Sequence, residues 1–232
     1  MRLAFATGRR FGRRSGSVQT VRKLGGSVFS SALLVVVAAG CGGSSTASPA
    51  RPHRPATAKQ AIKYDAPVLA HPQRPAPDFA LRDSLGKPAR LSDFRGKAVL
   101  LTFIYVHCPD TCPLMVGNLH AALLQMGPAQ AAKTQIVAVS VDPRGDTPKT
   151  VKQFLSAHDM TGRMRYLIGS KRRLAPVWKR YGVQVQGSPD QREVGHSAFV
   201  YGISGKGTAI ALYPSNFKPA WIVHDVPLLA AH

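Results

Sequence analysis

The sequence predicts an α/β fold: a central mixed sheet flanked by helices and entered through an N-terminal β-hairpin. Three observations predict it. Residues 97–106 (KAVLLTFIYV) and 135–141 (QIVAVSV) are unbroken apolar runs rich in β-branched and aromatic residues, the pattern of strands buried on both faces. Segments with apolar residues at helical spacing follow each run, and that alternation gives a sheet layered by helices. Short strand-like pairs with turn residues between them lie at both ends of the region, which reads as hairpins.

Taken in order, Phe79-Ala80-Leu81 and Ala89-Arg90-Leu91 form the first pair, joined by the turn Asp83-Ser84-Leu85-Gly86-Lys87. The first apolar strand runs directly into His107-Cys108-Pro109-Asp110-Thr111-Cys112-Pro113. Pro113 suits the first position of a helix, which reaches about Met126 with Leu114, Leu119, Leu123 and Leu124 as its apolar residues. After the second strand, Thr147-Pro148 opens another helix with Val151, Phe154 and Leu155 on one face. Residues 165–168 form a short strand, and Ser170 caps a helix that turns Leu174, Val177 and Trp178 inward. Residues 198–203 and 208–213 are strands around Gly205-Lys206-Gly207, and a last helix spans about 218–230.

The 232 residues carry a formal charge of +20. Seven of the 31 basic residues and no acidic ones fall in the first 40; setting those aside leaves 24 against 11. The remainder is spread along the chain and suits an anionic membrane surface or an acidic partner protein. No basic stripe interleaved with aromatics appears, so a nucleic-acid role is set aside.

Residues 1–40 read as an export signal. A basic stretch precedes the apolar run 28–39, which is too short to span a bilayer comfortably. It ends in Ala38-Ala39-Gly40-Cys41, and small residues directly before a cysteine resemble a bacterial lipobox. Cys41 would then be lipidated and become the mature N-terminus, placing the protein on the extracytoplasmic face of a bacterial plasma membrane. Arg9-Arg10 and Arg13-Arg14 leave the export route, general or twin-arginine, open. Residues 41–76 are rich in Ser, Pro and Ala and poor in large apolar residues. They read as a flexible tether that would hold the domain roughly 30 Å from its anchor. The folded domain is expected over 77–232.

With Cys41 assigned to lipid, Cys108 and Cys112 stand as an isolated close pair. A structural disulfide framework uses more cysteines and longer loops, so redox or metal chemistry fits better. A pair at a strand-to-helix junction sits where the helix dipole and unpaired N–H groups stabilise thiolate. The spacing is C-x3-C, not the C-x2-C of common dithiol oxidoreductases. Two soft thiolates select Cu(I), zinc or iron–sulfur chemistry, and a metal would need a further ligand, for which His is the natural type. From the residues alone both chemistries are open.

The string TFIYVHCPDTCPL resembles the Sco/SenC family of thioredoxin-like copper proteins. So do residues 141–148, matching that family's VDPxxDTP, and Gly195-His196-Ser197-Ala198, matching its His ahead of a strand. The opening PDFALRDSLGKPARLSDFRGK resembles the hairpin of the same family, and the likeness covers about residues 77–215. The resemblance implies a thioredoxin-like fold and copper, Cu(I) or Cu(II), bound by Cys108, Cys112 and His196. It implies a chaperone that delivers copper to the CuA centre of cytochrome c oxidase, or that maintains the cysteines of that centre. The partners it implies are the oxidase subunit carrying CuA and a copper donor or thiol reductase.

Many thioredoxin-like oxidoreductases carry a cis-proline just before the strand facing the active site. Aligning Phe199-Val200-Tyr201 on that strand places His196 at the proline position, and neutral imidazole is a good copper ligand. His107, next to Cys108, is the rival ligand, although neighbouring side chains on a strand point to opposite faces. His120 reads as a solvated side chain and Tyr105 and Phe103 as core. Asp142 and Asp146 read as turn and helix-capping residues, the alternative being an acidic surface beside the site. Asp110 could cap the helix between the cysteines. The rival function is an enzyme, a thiol–disulfide oxidoreductase acting on an apo copper-protein partner with Cys108 as the attacking thiol. A peroxidase is set aside because the Thr-Pro context before a single peroxidatic cysteine is missing.

Overall fold

A computed structural model of the chain describes residues 62–69, 73–186 and 195–232. The expected export signal over 1–40, Cys41 and the first part of the expected tether lie outside the described residues.

Strand β3 (Ala98–Ile104) lies inside the sheet, and all seven of its residues are buried. It pairs in parallel with β4 (Thr134–Ser140) and antiparallel with β8 (Phe199–Ile203). Apolar, β-branched side chains on both faces of β3 and β4 are what a strand covered on two sides requires. Strands β1 (Ala80–Asp83), β2 (Pro88–Arg90), β5 (Met164–Ile168) and β9 (Ala209–Pro214) complete the sheet, in the order β2-β1-β5-β4-β3-β8-β9. The β3–β4 and β4–β5 pairs are parallel and the rest antiparallel, so the sheet is mixed. The N-terminal hairpin β1–β2 joins it through β5.

Helix α1 (Thr111–Gln125) begins two residues before Pro113. It buries Cys112, Met115, Val116, Leu119 and Ala122, while Leu114 and Leu124 are exposed. Of the four leucines, Leu119 is in the core and Leu123 packs against it, and Cys112, Met115, Val116 and Ala122 fill the rest of the inner face. A short helix α2 (Pro128–Ala132) leads into β4 and leaves no mark in the sequence pattern because it buries nothing. Helix α3 (Pro148–Ala157) is capped by Thr147, whose hydroxyl accepts the Thr150 N–H. Helix α4 (Lys171–Arg180) turns Leu174, Val177 and Trp178 inward as expected; Ser170 holds the cap position but makes no side-chain cap bond. Helix α5 (Pro219–Ala231) packs against α1. Two-residue strands β6 (Val185–Gln186) and β7 (Gly195–His196) pair antiparallel apart from the main sheet.

Ordered contacts begin ahead of the expected boundary at residue 77. Residues 67–76, as far as they are described, lie along β9. Leu69 N–H donates to Ile210 O, Leu212 N–H to Pro67 O, Ala209 N–H to Arg74 O and Ala76 N–H to Gly207 O. Their backbone groups occupy an otherwise open edge. Ahead of them the buried Asp225 of α5 accepts the N–H groups of Asp65 and Ala66. This part of the expected tether is a strap on the domain, held by main-chain bonds that its Pro- and Ala-rich composition does not announce. Among the described residues, no helix is long and apolar enough to cross a membrane.

Candidate metal centre

The end of β3 fixes where the chain leaves the sheet. Val141 N–H donates to Ile104 O, closing the β3–β4 ladder, and Cys108 N–H turns back to Tyr105 O. The chain then enters α1 through Asp110, which holds the cap position without making a side-chain cap bond. Cys108 caps the helix instead, its Sγ accepting the Cys112 N–H at 3.3 Å. A first-turn donor of the helix is thus satisfied by sulfur, and that geometry favours the thiolate.

The two thiols differ sharply. Cys112 is fully buried on the inner face of α1, whereas Cys108 is half-buried. The hydrogen bond from the Cys112 thiol, helped by main-chain donors of Cys112 and Asp110 and by His196, holds Cys108 well below an ordinary thiol, at about 5. The same shared proton, together with burial, drives Cys112 far upward. The pair is one thiolate and one thiol sharing a proton, and their ionisations are linked.

His196 reaches the pair from another part of the chain. It lies on β7, ahead of β8, which runs beside β3. Its Nε2 is 3.8 Å from Cys112 Sγ. Its Nδ1 is 3.0 Å from Ser197 O; a carbonyl only accepts, so Nδ1 carries a proton and Nε2 is the ring nitrogen turned toward the sulfur, free to act as a ligand when the ring is neutral. Tyr105 packs edge-on to the His196 ring, centroids 5.8 Å apart. Tyr105 is buried as its strand position predicts, and its contact with the imidazole is an addition that burial alone does not signal.

The fold therefore brings Cys108, Cys112 and His196 together, the last two 84 residues apart in sequence. They are the residues that could hold a soft metal ion here. Among the described residues no group of three His, Cys, Asp or Glu side chains is closed to metal-binding geometry.

The rival His107 points elsewhere. It is exposed, and its Nδ1 would lie 2.8 Å from a Cβ placed on Gly145, which would also collide with the Asp142 carboxylate. His107 thus leans on the turn 142–147, on which Asp142 accepts the Arg144 N–H. Asp146 is not a helix cap: it is buried and accepts from Val106 N–H and the Tyr166 hydroxyl, both at 2.9 Å. His120 is half-buried on α1 rather than solvated. A thiolate, a buried thiol and an imidazole nitrogen beside Cys112 can together bind a soft cation or exchange disulfides.

A mixed sheet with a dithiol at the exit of its central strand and an imidazole ahead of the next defines a thioredoxin-like protein with a Cys-Cys-His site. Comparison with known proteins narrows the class. The profile of the SCO1/SenC family matches residues 69–230, and the chain belongs to that family. It is 31% identical over 144 residues to "Protein SCO2, mitochondrial" of Saccharomyces cerevisiae, covering 60% of this chain and 47% of that one. The chain spans about half the length of the curated relatives it matches. Among solved structures, apo Sco1 of Thermus thermophilus is 28% identical with a TM-score of 0.64, covering 73% of this chain and 99% of that one. ScoI of Bradyrhizobium japonicum with copper bound is 27% identical with a TM-score of 0.57, covering 67% and 99%.

Proposed function

We propose that the protein is a copper chaperone of cytochrome c oxidase assembly, carrying copper on Cys108, Cys112 and His196 as cargo. The observation that carries this is the His196 Nε2 atom 3.8 Å from Cys112 Sγ. A disulfide exchanger needs no imidazole there, whereas a soft ion does. Two thiolates and an imidazole suit Cu(I), and three donors leave room for a partner's ligand to enter and take the ion. The solved Bradyrhizobium japonicum relative with copper bound supports the choice of metal. The receiving partner is the oxidase subunit carrying CuA, and lipid on Cys41 holds the carrier on the extracytoplasmic face of the plasma membrane.

The test is anaerobic Cu(I) titration of the reduced protein. One copper per chain is expected, lost in Cys108→Ser, Cys112→Ser and His196→Ala. An unchanged stoichiometry and affinity in His196→Ala sinks the ligand assignment. A second function is favoured by a specific observation, the asymmetric thiol pair. A thiolate at Cys108 with a buried, protonated Cys112 is the arrangement of an attacking and a resolving thiol. Dithiol exchange at full rate in metal-free His196→Ala, alongside weak copper binding by the native protein, selects that reductase function instead.

A further inference from the structure

The buried carboxylate of Asp146 serves neither function directly. It sits on the turn between β4 and α3, only 4% exposed. It receives the Val106 N–H at 2.9 Å and the Tyr166 hydroxyl at 2.9 Å, and the Ser140 hydroxyl donates to it as well. Tyr166 OH also lies 3.2 Å from Ile104 O. Ile104 and Val106 are the last turning points of the chain before His107 and Cys108. His107 rests against the same turn at Gly145.

Burying a carboxylate is expensive, and here burial lifts Asp146 to about 6 against the pull of its three donors. A helix cap or a turn needs no such group, and Thr147 already caps α3. What the position does need is an acceptor for the Val106 N–H. The Val106 N–H lies beyond the β3 ladder with no strand to pair it, and a main-chain donor cannot turn away.

We propose that Asp146 is a positioning residue for the dithiol, fixing the chain at Val106 so that Cys108 Sγ is held against the N-terminus of α1 and beside Cys112. Tyr166 and Ser140 aim the carboxylate. Asp146 positions the pair in this way whether the pair carries copper or exchanges disulfides.

The test is done without metal, on the full chain. The dithiol is equilibrated with oxidised dithiothreitol: Cys108 and Cys112 lose two electrons and two protons and form a disulfide, while the reagent gains them and becomes a dithiol. Asp146→Ala frees Val106, and the reduced state loses the shared-proton contact. The equilibrium is expected to move about tenfold toward the protein disulfide. Exchange of the Val106 amide with deuterium, read by NMR, is expected to accelerate in the same variant. Asp146→Asn keeps one carbonyl oxygen for Val106, since the Tyr166 and Ser140 hydroxyls can rotate to accept, and is expected to stay within about threefold of the native equilibrium.

A native equilibrium in Asp146→Ala overturns the proposal. So does an Asp146→Asn shift as large as that of Asp146→Ala, because the effect would then be one of charge. Should Asp146→Ala fail to fold, Tyr166→Phe takes its place, with an intermediate shift and faster Val106 exchange expected; native values for both overturn the proposal. Failure of the native protein to bind copper would sink the chaperone function and leave this test intact.

Discussion

At the scale of the residue, the informative quantity is the difference between two cysteines four positions apart. Cys108 accepts from the Cys112 N–H and from the Cys112 thiol; Cys112 is sealed against the core. In metal-free reduced protein, iodoacetamide is expected to label Cys108 with a rate that rises through about pH 5 and levels off by about pH 7, rather than rising through the value of about 8.5 of a free thiol. Cys112 stays unlabelled in that range. The sign for stability follows from the same shift. A thiolate depressed on folding contributes in full above the unfolded value of about 8.5, and that contribution is lost as pH falls through about 5. Mass spectrometry after timed labelling across this range checks the rate; a midpoint at the free-thiol value contradicts the geometry.

At the scale of the element, close packing decides which residues are tolerated. The β8–β9 ladder has its irregularity between Gly202 and Ile203. Gly202 lies under α5: a Cβ there would stand 3.0 Å from Tyr213 Cε2 and 3.1 Å from both Ala211 Cβ and Leu229 Cδ1. Tyr213 and Leu229 are fully buried and have little room to retreat. Gly202→Ala is expected to overpack this contact and cost about 1–3 kcal/mol, read as a lower midpoint in urea unfolding. Its backbone is ordinary in φ, so the cost is one of space and not of conformation.

At the scale of the whole molecule, the sheet is finished by a segment ahead of the expected domain. The strap along β9 is latched by one carboxylate. Asp225 is fully buried and accepts from Asp65 N–H, Ala66 N–H and the Tyr213 hydroxyl, with His224 Nδ1 at 2.7 Å. Asp225→Ala leaves these donors without their acceptor, and each buried one left unpaired costs about 1–3 kcal/mol. Residues 62–69 escape that cost by lifting into water. Limited proteolysis is therefore expected to cut the variant ahead of residue 76 at a concentration of protease that leaves the native protein whole. Equal resistance would show that the main-chain bonds to β9 hold the strap alone.

Periodicity and punctuation determined most of the fold. Residues 97–106 and 135–141 read as buried strands because both apolar runs are short and rich in β-branched or aromatic residues, which favour a strand over a buried helix. Thr147-Pro148 marked the start of α3 because capping chemistry is local. The cysteine pair was legible for the same reason: two thiols close together at a strand–helix junction are a short-range signal. His196 was reachable only through the family's pattern, because a lone histidine in a loop carries no local mark. The tertiary structure alone decided three things. It set His107 against the turn at Gly145 and His196 beside Cys112. It made Asp146 a buried acceptor for Val106 instead of a helix cap, and it tied Pro67, Leu69 and Arg74 to β9 by main-chain bonds. Each depends on a hydrogen bond between groups far apart in sequence or on the packing of a distant turn, and such partners leave no trace in the residues adjacent to either end.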